Sequence, residues 1–169
     1  FKEGSEVITP ALTFSTTVGC LVKNNLIPVF VDVKPYTYCI DVDQIEDMIT
    51  EKTVAILAPN LMGNICDWIS ISKIAKKYNL VVIEDSADSF PRKSYRPFEN
   101  NSNYEMISLP KLLGSFCGGI ILTNNQNFYT YAKTLQIKNK TLANKQSLRK
   151  FISAFKDNKN ADWRFYESL

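Results

Sequence analysis

Leu80-Val-Val-Ile-Glu-Asp-Ser-Ala87 decides how this chain folds: four apolar residues in a row, three of them β-branched, stop abruptly at a pair of acids. So short an apolar run, with no polar alternation, reads as a strand buried on both faces. Just ahead of it, Asp67 opens a helix whose apolar positions Ile71, Ile74, Ala75 and Tyr78 recur at helical spacing. Before that helix lies Thr53-Val-Ala-Ile-Leu-Ala58, a second buried strand that stops at Pro59-Asn60. Strand, helix and strand in that order make the crossover unit of a parallel sheet.

Working outward, the same unit repeats toward the N-terminus. Val7 to Thr9 leads into Pro10, Ser15 to Asn25 is helix-compatible, and Ile27-Pro-Val-Phe-Val-Asp-Val33 is again rich in β-branched residues. Asp41 or Asp43 is placed to cap a short helix through Ile49. Toward the C-terminus the rhythm changes. Pro91 to Tyr104 is polar and aperiodic and reads as a loop. The strands Met106-Ile-Ser-Leu109 and Gly119-Ile-Ile-Leu-Thr123 follow, joined by a lysine-bearing turn, Pro110 to Gly118. Helical patterns then run from Gln126 to Ile137 and from Gln146 to Phe155. The expected class is α/β, a mostly parallel sheet with helices on both faces.

Composition removes several alternatives. The 169 residues are 45% hydrophobic and 22% charged, ordinary for a globular protein, and the net charge of +3 is scattered rather than gathered, which argues against nucleic-acid binding. The most basic region, Lys133 to Lys159, reads as solvated helix faces. There is no histidine, so Ser-His-Asp and Cys-His nucleophile systems cannot be built. Cys20, Cys39, Cys66 and Cys117 lack CxxC spacing, which points away from zinc and toward a reducing cytosol. No apolar run nears the roughly 20 residues needed to span a bilayer. The opening, with neither an initiator Met nor a targeting segment, reads as a truncated N-terminus.

In open α/β sheets ligands sit beyond the carboxyl ends of the strands, and Phe14, Asp85 and Lys111 all fall at such ends. Singly, each has a plainer role: an acid after a strand caps a helix, and a lysine in a turn points to water. Asn60 and Asn64, in Pro59-Asn-Leu-Met-Gly-Asn64, either face a ligand or simply form a turn. No GxGxxG or phosphate-loop motif is present.

Taken jointly, Gly4-Ser-Glu-Val-Ile-Thr-Pro-Ala-Leu-Thr-Phe14, Pro28-Val-Phe-Val-Asp-Val33, Val82-Ile-Glu-Asp-Ser-Ala87, Lys111, Gly118-Gly119 and Thr123-Asn124 resemble the DegT family of nucleotide-sugar aminotransferases. The resemblance covers roughly residues 4 to 135. It implies the large domain of the aspartate-aminotransferase fold and pyridoxal 5′-phosphate (PLP) as cofactor. It implies that Asp85 pairs with the pyridine nitrogen and keeps it protonated, so that the ring accepts electrons. It implies that Lys111 holds the cofactor covalently and later carries the proton between substrate and cofactor carbons. Phe14 aligns with the aromatic residue that stacks on the ring.

Some positions depart from the family pattern. Asp88 stands where Gln or His commonly contacts the ring hydroxyl, and a second carboxylate there would repel that oxygen. Ser108, three residues before Lys111, is a candidate phosphate donor, although the family serine stands further upstream. Cys117 replaces a frequent acid, and the family's phosphate-cradling turn would precede Phe1. The expected division is a PLP-binding large domain over 1–138 and, over 139–169, a helical linker or the start of a small C-terminal domain. The resemblance further implies a cytoplasmic homodimer that moves an amino group, from glutamate, onto a nucleotide-linked keto sugar in polysaccharide biosynthesis. Two alternatives stay open: a sugar dehydratase of the same family, in which histidine replaces the lysine, and a non-catalytic domain of this fold that acts as an assembly partner.

Overall fold

The computed structural model describes residues 1–89, 103–113 and 118–138. The expected loop over most of 91–104, the helix at 146–155, Cys117 and everything from 139 onward lie outside the described residues. Within them the chain runs β1 (Glu6–Pro10), α1 (Ser15–Lys23), β2 (Ile27–Val31), β3 (Thr53–Pro59), α2 (Trp68–Tyr78), β4 (Val81–Ser86), β5 (Tyr104–Ser108), α3 (Leu109–Leu113), β6 (Gly119–Thr123) and α4 (Gln126–Lys138).

The strands form one six-stranded sheet in the order β2-β1-β3-β4-β5-β6. Its pairings are parallel except that of β5 with β6. The antiparallel edge follows from length: the connection from Ser108 to Gly119 is too short for a crossover helix that would return the chain parallel. Side chains alternate between the two faces. One face packs Val7, Ala55 and Leu57 with Leu21 of α1, and gathers Val81, Ile83 and Met106. The other packs Ile8, Ile56, Ala58 and Val82 with Trp68, Ile71 and Ala75 of α2. Ile8, Ile56 and Ile71 are fully buried, and each such side chain contributes roughly 1.5–3 kcal/mol.

Helix α2 is bounded as its sequence demands. The Asp67 side chain accepts from the Ser70 N–H, and Asn79, in the left-handed region, closes the C-terminus on the carbonyls of Ala75 and Lys76. The short helix expected from Asp41 or Asp43 to Ile49 is instead two 3₁₀ turns, Val42–Gln44 and Glu46–Met48. Asp41 accepts from the Asp43 N–H and the Gln44 amide, and Gln44 in turn accepts from the Asp32 N–H. These local bonds compete with an α-helical ladder.

Strand limits also moved. β2 ends at Val31, where the Asp32 carboxylate turns to the Val33 N–H, and Val33 makes only an isolated bridge to Ile40. β4 continues past Ile83 to Ser86 because both neighbours pair with it there, Pro59 opposite Asp85 and Met106 also opposite Asp85. Lys111 lies in a short helix that begins where β5 ends, rather than in an irregular turn. Among the described residues no helix is long and apolar enough to cross a membrane.

Candidate active site

The sheet order reverses between β1 and β3, which is where ligand crevices open in α/β folds. A cavity of about 400 Å³ lies there, at the carboxyl ends of the strands. Phe14, Asp85, Asp88, Ser108 and Lys111 all line it, so candidates from three separate stretches of the chain are brought together. Strand alternation explains the selection. Asp85 follows Val81 and Ile83 on the α1 face, and Ser108 follows Met106 on that same face.

Phe14 precedes the first turn of α1 and is 56% exposed, so its ring forms a wall of the cavity rather than part of the core. The Lys111 ammonium lies 4.9 Å from the centre of that ring and 2.7 Å from Asp88 Oδ1. The ion pair of Lys111 is therefore with Asp88, and Asp85 is held otherwise. Asp85 Oδ2 accepts the Thr17 hydroxyl at 2.9 Å, and Oδ1 accepts the Ala87 backbone N–H at 3.1 Å.

Thr17 is a residue that reading the sequence missed. Its signal was position alone: it lies one helical turn after Phe14, and Cys20 lies one turn further, so all three share a face of α1. Cys20 also lines the cavity, and burial, with the charge of Asp85 second, pushes its thiol above the usual range. Gly119, opposite Ser108, leaves little room for a side chain, since a Cβ there would meet the Ile107 carbonyl at 3.2 Å.

Asn60 borders the cavity, yet its amide is fully engaged beneath it. It donates to Glu84 Oε1 at 2.7 Å and to the Ser86 hydroxyl at 3.1 Å, and it accepts from the Cys66 N–H and the Trp68 indole. Asn64 belongs to a turn, its N–H bonded to the Leu61 carbonyl, with Met62 and Gly63 both at positive φ. On the α2 face of the sheet, Glu84 and Glu105 stand opposite each other on adjacent strands, both fully buried. Among the described residues neither oxygen of Glu105 has a partner within hydrogen-bond distance, and burial, opposed by the nearby Ser86 hydroxyl, raises its carboxyl to about 7. Cys20, Cys39 and Cys66 are free thiols.

Comparison with known proteins identifies the family. The family model of the DegT/DnrJ/EryC1/StrS aminotransferases matches residues 1–157. The chain is 36% identical, over 84% of its length, to a GDP-perosamine synthase of Escherichia coli O157:H7. Among solved structures it is similar to NtdA of Bacillus subtilis with bound cofactor PMP, at 33% identity and a TM-score of 0.64 over 75% of this chain. It is also similar to the E. coli GDP-4-keto-6-deoxy-D-mannose-3-dehydratase with bound hydrated PLP, at 29% identity and a TM-score of 0.69 over 76% of this chain. The chain spans 39% of the synthase, 29% of the NtdA chain and 34% of the dehydratase chain. By the extent of the family match and the shared fold, this chain belongs to the DegT/DnrJ/EryC1/StrS aminotransferase family.

Proposed function

We propose that this chain is the cofactor-binding part of a PLP-dependent aminotransferase that moves an amino group, from glutamate, onto a keto sugar carried by a nucleotide, in polysaccharide biosynthesis. The observation that carries the reading is one ring-sized cavity with an aromatic face, a fixed carboxylate and an amine on its walls. That set fits the group: Phe14 would lie against the pyridine face, Asp85 would meet the ring nitrogen, Lys111 would hold the aldehyde carbon, and Ser108 would donate toward the phosphate.

PLP, when bound, supplies an electron-poor ring that accepts the electron pair of a C–H bond broken beside the amino nitrogen. The chain's own residues do the rest. The Asp85 carboxylate keeps the proton on the ring nitrogen, because a negative charge at contact distance favours the charged form. Lys111 must be neutral to act, and its ammonium is paired with the Asp88 carboxylate 2.7 Å away, a pair that it has to leave before it acts. As a neutral amine, Lys111 then moves a proton between the substrate carbon and the cofactor carbon, a step worth roughly a factor of a hundred to ten thousand. Asp88 serves in this reading as the counter-ion of Lys111 rather than as a partner of the ring hydroxyl.

The same reading makes 1–138 the large domain, makes 139–169 the lead into a small domain, and makes the enzyme a cytoplasmic homodimer. The similarity to a dehydratase favours a second reading, deoxygenation of the sugar. The family resemblance puts a histidine in the place of Lys111 for that reaction, and this chain contains no histidine. Borohydride reduction of the full-length protein with PLP tests the proposal. The absorbance near the visible edge should bleach and the label should appear on the Lys111 peptide. Label elsewhere, or none, overturns it.

A further inference from the structure

We infer that Thr17 is a positioning residue for Asp85, fixing the direction in which that carboxylate meets the cofactor, an inference that rests on the cofactor reading above. A threonine inside a helix can return its hydroxyl to a carbonyl three or four residues back. Thr17, only 6% exposed, instead donates to Asp85 Oδ2 at 2.9 Å, across 68 residues of sequence. The second oxygen, Oδ1, receives the Ala87 N–H at 3.1 Å. With one donor on each oxygen, the carboxylate cannot turn about its own axis without breaking a bond. Each oxygen can accept two hydrogen bonds, so acceptor capacity remains for the ring nitrogen.

Thr17 is itself fixed. Its N–H bonds to the Phe14 carbonyl at 2.9 Å, and its carbonyl accepts the Cys20 thiol at 3.1 Å. Its branched side chain restricts the first rotamer, so the hydroxyl has little freedom to point elsewhere. One turn of α1 thus carries both the aromatic wall and the donor that aims the acid. The ring's face and the ring's nitrogen are referred to the same rigid element, the kind of second support a functional group needs to be held within about 0.5 Å.

The test uses the full-length protein and its Thr17→Val, Thr17→Ser and Thr17→Ala variants, read by PLP titration and by the pH dependence of the bound cofactor's absorbance. Thr17→Val keeps the volume and removes the donor. It should weaken PLP binding about tenfold or more and displace the midpoint of the absorbance change. Thr17→Ser should match the wild type in both. If Thr17→Val does not fold by circular dichroism, Thr17→Ala against Thr17→Ser decides, since those two differ only by the hydroxyl. Donor-free variants with wild-type affinity and midpoint overturn this inference alone. A wild-type protein that takes up no PLP overturns the cofactor reading and this inference with it.

Discussion

Asp88 holds the Lys111 ammonium at 2.7 Å, so the amine on which the proposed chemistry depends is engaged by a neighbouring carboxylate. The two side chains are 40% and 39% exposed, and pairs this accessible are worth at most about 1 kcal/mol. The bond is therefore one that a cofactor can displace.

Asp88→Asn should leave folding unchanged and tighten PLP binding by up to about fivefold, the equivalent of losing so weak a competitor. Titration of the full-length variant with PLP checks this. Binding weakened by the change would instead mean that the Asp88 charge itself helps to hold the cofactor.

Asp85→Asn keeps the shape of the side chain and the acceptor for one of its two donors, while removing the negative charge. Turnover should fall on the order of a hundredfold or more, as when a preorganised charge is taken from a reacting centre. Steady-state kinetics on the full-length enzyme measures it, with a thermal melt showing that the fold is kept. A variant as active as the wild type would remove Asp85 from the proposed role.

Glu105 gives a pH dependence whose sign can be worked out. Burial raises its folded-state value to about 7, above the 4.5 of a free glutamic acid, so the folded state holds the proton more tightly than the unfolded chain. Its contribution to stability is complete below about pH 4.5 and is lost as pH rises through about 7. The adjacent Glu84 acts in the same direction. Glu105→Gln, always neutral, should melt higher than the wild type by a margin that widens from pH 5 to pH 8. A constant margin across that range would refute the assignment.

Asn60→Ala should be among the costliest single changes in the sheet. It removes both donors to Glu84 and Ser86 and strands the Cys66 N–H and the Trp68 indole, all inside the core. A loss of about 3 kcal/mol or more is expected. Urea denaturation measures it, and a loss below about 1 kcal/mol would show that water or rearrangement restores these bonds.

Much of the fold was legible because it is written locally. The β-branched run of β3, the Asp67 cap and helical period of α2, and the helix that starts at Gln126 all depend on residues close in sequence. The limits of β4 were not. Glu84 and Asp85 look like the end of a strand, and only pairing with β3 and β5 carries the backbone through them. The segment after Asp41 failed for the opposite reason: its short polar side chains offer the backbone local bonds that periodicity does not count.

The linear chain was enough to determine the α/β class, the family resemblance and the five candidate residues around one proposed cofactor, since these rest on side-chain type and order. Tertiary structure alone decided that Lys111 pairs with Asp88, that Thr17 bonds to Asp85, and that Asn60 serves the core rather than the cavity. Those contacts span 23, 68 and 24 residues and need a distance short enough for a hydrogen bond, and such distances exist only once the strands have taken their register.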